Sequence, residues 1–135
     1  MTIEVTSGAL ATLYAEAART APDECCGLLL GAGSGDNVRI DRAVPTCNVS
    51  PERRTRFEID PSALLAAHKA SRQGGPQVTG YFHSHPQGHP VPSAIDREHS
   101  TGDLRVWAII AAGEVAFWCD SGNGFTPLSY RIVDG

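Results

Sequence analysis

The sequence predicts an α/β domain, a mixed sheet with helices packed against it. Three observations point there. Short apolar runs with strand character, such as Leu28–Gly31 and Val106–Ala111, alternate with longer stretches of helical periodicity. Glycine- and proline-rich punctuation separates them, as at Gly74-Gly75-Pro76. The length, 135 residues with 41% hydrophobic and 19% charged, suits one domain over residues 1–135 with one core.

In chain order, Ile3-Glu4-Val5 reads as a short strand. Ser7 is placed to cap a helix over about 8–20, with Leu10, Leu13, Tyr14 and Ala17 on one stripe. Strands over 28–31 and 38–44 follow, joined by the turn-rich segment 32–37. Thr55, Phe57 and Ile59 alternate as a strand does. Pro61 opens a helix to about Arg72 that carries Leu64, Leu65 and His68, and the Gly-Gly-Pro stops it. Residues 78–83 form a strand and Ser93 to about Ser100 a helix. Strands over 106–111, 115–119 and 128–133 finish the sheet, with turns at Ala112-Gly113 and Gly122-Asn123-Gly124.

The chemistry concentrates in residues 83–96. His83 and His85 are two apart, so on an extended backbone both rings leave the same side and can meet one ion. The Gly/Pro-rich turn 87–92 brings the chain back to Ser93 and Asp96. Ser93 and Asp96 also have the spacing of a helix capping box, which would hold both side chains rigidly. Two imidazoles and one carboxylate leave a position open on zinc, the pattern of a catalytic metal site. Glu24 heads the apolar run 28–30, at the edge of a strand and the end of a helix. As a base it would take a proton from water and return it to a departing amine.

Glu24, His83, His85, Ser93 and Asp96 resemble the JAMM (MPN-plus) metallopeptidase signature, E…H-S/T-H-x7-S-x-x-D. Glu24-Cys25-Cys26-Gly27, Asn48 with Arg56–Pro61, and Gly80–Pro86 resemble the stand-alone prokaryotic branch, so the likeness covers nearly the whole chain. It implies a JAMM/MPN α-β-α sandwich with a mixed, mostly antiparallel sheet and flanking helices. It implies one Zn2+ held by His83, His85 and Asp96, with Glu24 as acid–base and Ser93 stabilising the oxyanion. The substrate it implies is a peptide or isopeptide bond after the C-terminal Gly-Gly of a ubiquitin-like β-grasp sulfur carrier. A diglycine tail has no side chains and can lie extended in a narrow groove, pairing with an edge of the ligand strand or its neighbours.

Composition excludes other classes. The net charge is −4, and the one basic cluster, Arg53-Arg54-x-Arg56, lines a groove or pairs with acids, so nucleic acid is not an expected partner. No apolar run approaches the ~20 residues that span a membrane, and no signal-like N-terminus is present, which points to the cytoplasm. The cysteines Cys25, Cys26, Cys47 and Cys119 form no C-x-x-C, and Cys25 reads as a small buried side chain. His89 and His99 are weaker candidates for a site role, and His68 reads as surface. A silent MPN interaction module and a RadC-like DNA-associated protein are the alternative readings. The first would lack ligands or the glutamate, and the acidic balance opposes the second.

Overall fold

The computed structural model describes residues 2–33 and 37–135. Among the described residues, seven strands and three helices follow one another as β1 (Thr2–Thr6), α1 (Ser7–Thr20), β2 (Cys26–Ala32), β3 (Arg39–Thr46), α2 (Pro61–Arg72), β4 (Gln77–Ser84), α3 (Ala94–Glu98), β5 (Val106–Ala111), β6 (Glu114–Asp120) and β7 (Phe125–Val133). The fold is mixed α/β. Residues 34–36 of the expected 32–37 turn lie outside the described residues.

The strands pair in the order β1-β3-β2-β4-β5-β6-β7, and β7 returns to β1, so the sheet closes. The expected mixed α/β fold is present, but the sheet closes on itself where an α-β-α sandwich was expected. Closure comes from β1, which runs parallel to both β3 and β7 and brings residues 2–6 against 129–133. The β4–β5 pair is also parallel and the other four are antiparallel, so the sheet is mixed with an antiparallel majority. The interior place of β4 in this order has a consequence for substrate binding. β4 is paired on both sides, by β2 and β5, and offers no free edge to a peptide.

The core lies between α1 and the inner face of the sheet. Leu10 and Leu13 meet Ile3, Val5, Leu29, Ile40, Phe82, Ile110 and Phe117 there. Ala17 packs at the margin and Tyr14 stays 40% exposed, which narrows the expected stripe. Thr6, not Ser7, caps α1. Its Oγ1 accepts from Ala9 N at 3.1 Å and donates to the Asp41 carbonyl at 2.9 Å, whereas Ser7 Oγ donates to the Gly135 carbonyl at 3.3 Å. Asp60 caps α2, whose Pro61 needs no backbone partner, but α2 buries no residue and leaves Leu65 66% exposed. None of the described helices is long and apolar enough to cross a membrane.

The expected strand over 55–59 is absent. Residues 51–55 are turns, and Ile59 makes only an isolated bridge to Asn48. Two turns match expectation. Ala112 and Gly113, with φ of 53° and 75°, close the β5–β6 hairpin, as a two-residue turn with both φ positive does. Gly122 and Gly124 likewise adopt positive φ between β6 and β7.

The strand that leads to the histidines depends on one close approach. A Cβ on Gly80 would stand 1.8 Å from the Val106 carbonyl oxygen of the neighbouring strand. Gly80→Ala is therefore expected to force β4 and β5 apart and cost about 2 kcal/mol or more. A denaturant midpoint unchanged from the parent would contradict this packing.

Candidate metal centre

His83 sits near the end of β4 and His85 just beyond it, so the two-residue period turns both rings outward from the inner core. His83 is fully buried. Phe57 stacks on its ring at 4.3 Å with planes 17° apart, and Trp107 meets it edge-on at 5.7 Å. This explains the alternation over 55–59: Phe57 covers a histidine and Ile59 faces a cleft, with no strand pairing involved. Asp96 comes from α3, where Ser93 is the N-cap. Ser93 Oγ accepts from Asp96 N at 3.0 Å, and Ser93 N donates to Asp96 Oδ2 at 2.9 Å. The expected capping box is present, and it aims the carboxylate at the imidazoles.

Three ligand atoms converge. His83 Nε2 is 3.0 Å from Asp96 Oδ2, His85 Nε2 is 3.1 Å from the same oxygen, and the two nitrogens are 3.1 Å apart. Ligands ~2.0–2.1 Å from a tetrahedral zinc stand about 3.3 Å from one another, close to this triangle. The protonation pattern also fits a cation. His85 Nδ1 donates to the His89 carbonyl at 2.8 Å, which leaves Nε2 of the neutral ring as a lone pair facing inward. Burial pushes the His83 imidazole down, toward the neutral form a metal requires. Burial also acts on His85, but Asp96 and the His89 carbonyl outweigh it and leave that ring raised. For Asp96 burial works upward, yet hydrogen bonds from both histidines and from Ser93 hold the carboxyl well below its usual range. Lone pairs and an anion at such short separations are stabilised by a positive charge between them. His83, His85 and Asp96 can hold one divalent ion.

Glu24 lies between α1 and β2, four residues past the helix end. Its amide donates to the Arg53 carbonyl at 2.7 Å, and its carbonyl accepts from Asn48 Nδ2 at 3.1 Å. The same Asn48 ties down residues 56 and 58, so one side chain links Glu24 to the segment that carries Phe57. Ser84, between the two histidines, accepts from Cys25 N at 2.8 Å and pins the other side of Glu24. Glu24 is 6% exposed, no solvated loop carboxylate. Burial pushes its carboxyl up to about 7 from the ordinary 4.5, with His85 lowering it and Asp96 raising it further. A carboxyl that titrates there can both accept and release a proton near neutrality.

Two clefts flank the triangle. One, of about 720 Å³, runs over the outer face of the sheet and is lined by Phe57, Ile59, Leu64, Tyr81 and Trp107. The other, of about 320 Å³, gathers Glu24, His85 and Ser93 with the 86–92 loop. His89 contributes its carbonyl to His85 and lines the smaller cleft, whereas His99 lines the larger one. The cysteines are free. Cys25 and Cys26 are buried and Cys47 is exposed. Sequence reasoning passed over the site functions of Phe57, Trp107, Asn48 and Ser84. Asn48, Phe57 and Ser84 stood inside segments singled out as distinctive, and none carried a local signal for its contacts.

The same arrangement of elements recurs in the solution structure of a protein from Desulfitobacterium hafniense. It superposes with a TM-score of 0.86 at 28% identity, covering 98% of this chain and 94% of that one. A desampylase from Haloferax volcanii is 35% identical over 117 residues, 86% of this chain and 83% of the relative. A probable TtuB-protein conjugate cleaving protease from Thermus thermophilus is 35% identical over 96 residues, 71% of this chain and 62% of the relative. The family of prokaryotic homologs of the JAB domain matches residues 6–120, a span that runs from the cap of α1 to the end of β6 and includes the whole triangle and Glu24. The chain belongs to that family.

Proposed function

We propose that this protein is a zinc-dependent peptidase, one domain over residues 1–135, that hydrolyses the peptide or isopeptide bond after the C-terminal Gly-Gly of a ubiquitin-like sulfur carrier. The observation that carries this reading is the 3.0–3.1 Å triangle of His83, His85 and Asp96 atoms, with the buried Glu24 opening onto the cleft beside it. The relatives' names support the substrate class: one is a probable TtuB-protein conjugate cleaving protease and one a desampylase. A cytoplasmic setting accords with such carriers.

His83, His85 and Asp96 would hold one zinc ion, which supplies Lewis acidity toward water and toward the scissile carbonyl. The remaining steps belong to the chain's own side chains. Ionised Glu24 takes a proton from the attacking water at a carboxylate oxygen, then hands it to the departing amine nitrogen. The Ser93 hydroxyl oxygen already accepts from Asp96 N, so its hydrogen remains to donate to the oxygen that becomes negative. Phe57 and Trp107 wall His83 off from solvent, which strengthens each of these electrostatic contacts. The larger cleft receives the side-chain-free tail over an apolar floor, in place of the free edge that β4, paired on both sides, does not offer.

The direct test is incubation of the zinc-loaded protein with a Gly-Gly-terminated carrier carrying a C-terminal extension, read by mass spectrometry. A cut immediately after the second glycine, abolished by a chelator, is expected. A cut elsewhere, or none, refutes the reading. Ser93→Ala should lower turnover roughly 10²-fold and remove a helix cap worth about 1 kcal/mol. Metal content should stay at one equivalent, because the Ser93 backbone still donates to Asp96. Loss of metal in this variant would move Ser93 out of the oxyanion role.

A further inference from the structure

We propose that Arg54 reads the departing segment, and that it favours a leaving group whose α-carboxylate is free one residue beyond the cut. The inference rests on the peptidase reading above and names which bond of that class the site prefers.

The cluster Arg53-Arg54-x-Arg56 divides into two kinds of side chain. Arg53 Nε pairs with Asp23 at 3.4 Å, and Arg56 Nε pairs with Glu52 at 3.6 Å. Arg54 has no ion pair among the described residues and is exposed. It lines the smaller cleft, on the same walls as Glu24, His85 and Ser93. Glu24 also lines another cleft, of about 450 Å³, with Asp23, Cys47 and Arg53, but of these two only the smaller also carries His85 and Ser93. Glu24 delivers its proton to the leaving nitrogen beside those groups, so the departing segment lies here. The larger cleft is lined by neither Glu24 nor Ser93, which makes it the tail's side of the cut.

Size and charge then select the leaving group. The smaller cleft, at about 320 Å³, is near the low end of ligand sites, roughly 300–1,000 Å³, and suits one residue better than a folded surface. The carboxyls facing it are Glu24 and, behind His85, Asp96, both of which repel an anion. Against them Arg54 offers a planar donor fork that matches a carboxylate in two hydrogen bonds. A lysine side chain departing from an isopeptide presents no anion to that fork. A single amino acid released from the carrier does.

The test uses a sulfur carrier ending in Gly-Gly and extended by one alanine, prepared as the free acid and as the carboxamide. The zinc-loaded parent should cleave the acid with kcat/KM about tenfold above the amide. Arg54→Gln should abolish that preference by slowing the acid form alone, with metal content unchanged, and Arg54→Lys should restore part of it. Calorimetric affinities of the metal-loaded Glu24→Ala variant for the two uncut forms should show the same ratio. Equal kcat/KM for acid and amide in the parent, or a preference that survives Arg54→Gln, overturns the assignment while leaving the peptidase reading intact. If the loaded parent cuts neither form after Gly-Gly, the peptidase reading fails and the role of Arg54 fails with it.

Discussion

Glu24→Ala should lower turnover by roughly 10²–10⁴-fold, the range for losing a positioned acid–base, while one equivalent of zinc remains bound. The separation of the two readouts is the point of the experiment. Glu24 supplies none of the three converging atoms, so its removal leaves the metal triangle whole. It does remove the one buried carboxyl in the smaller cleft that burial has moved to about 7. The pH profile follows from the same shift. The base acts when ionised, so kcat/KM should rise with pH through the Glu24 pKa. A bound cation draws that pKa below the metal-free value, and the acid limb should lie between 4.5 and 7. A variant that turns over as fast as the parent would remove Glu24 from the mechanism.

The same burial has a stability cost that Glu24→Gln exposes. A carboxyl whose folded pKa is raised favours the folded state when protonated. That contribution is complete below 4.5 and is lost as pH rises through about 7. Each pKa unit is worth about 1.36 kcal/mol, and water in the adjoining cleft screens part of it, so the cost in the metal-free protein is roughly 2 kcal/mol at pH 8. Glu24→Gln should therefore be the more stable protein at pH 8 and equal to the parent near pH 4.

Asp96→Ala should lose both metal and turnover. Its Oδ2 stands 3.0 and 3.1 Å from the two Nε2 atoms and accepts from Ser93 N. Without it, two imidazoles remain, and two neutral ligands bind a divalent ion far more weakly than three with an anion among them. Equilibrium dialysis should find well under half an equivalent of zinc against one in the parent. The variant also loses one half of the capping box on α3, so its helix start should fray. Retention of stoichiometric zinc would show that the ion sits elsewhere.

How much of this was legible beforehand depended on range along the chain. The convergence of His83 and His85 followed from the period of an extended strand, and the meeting of Ser93 with Asp96 from helix capping, both local rules. Glu24 was legible as a residue type at a motif spacing, but its burial comes from Asn48, Arg53 and Ser84, 24 to 60 residues away along the chain. Closure of the sheet joins Thr2–Thr6 to residues 129–133, and nothing local in either segment announces the partner. The start of β7 was missed because Pro127 demotes a strand, whereas here it pairs opposite Trp118. Phe57 and Ile59 imitated strand alternation because a ring stack and a cleft wall also ask for one apolar face.

The central claim is that one zinc ion sits among His83, His85 and Asp96. Anomalous diffraction from zinc-loaded crystals tests it most directly. A single peak is predicted ~2.0–2.2 Å from Nε2 of both histidines and from the Asp96 carboxylate, with Glu24 beyond bonding distance. A peak ~2.3 Å from a cysteine sulfur, or no peak between the two imidazoles, would contradict the account.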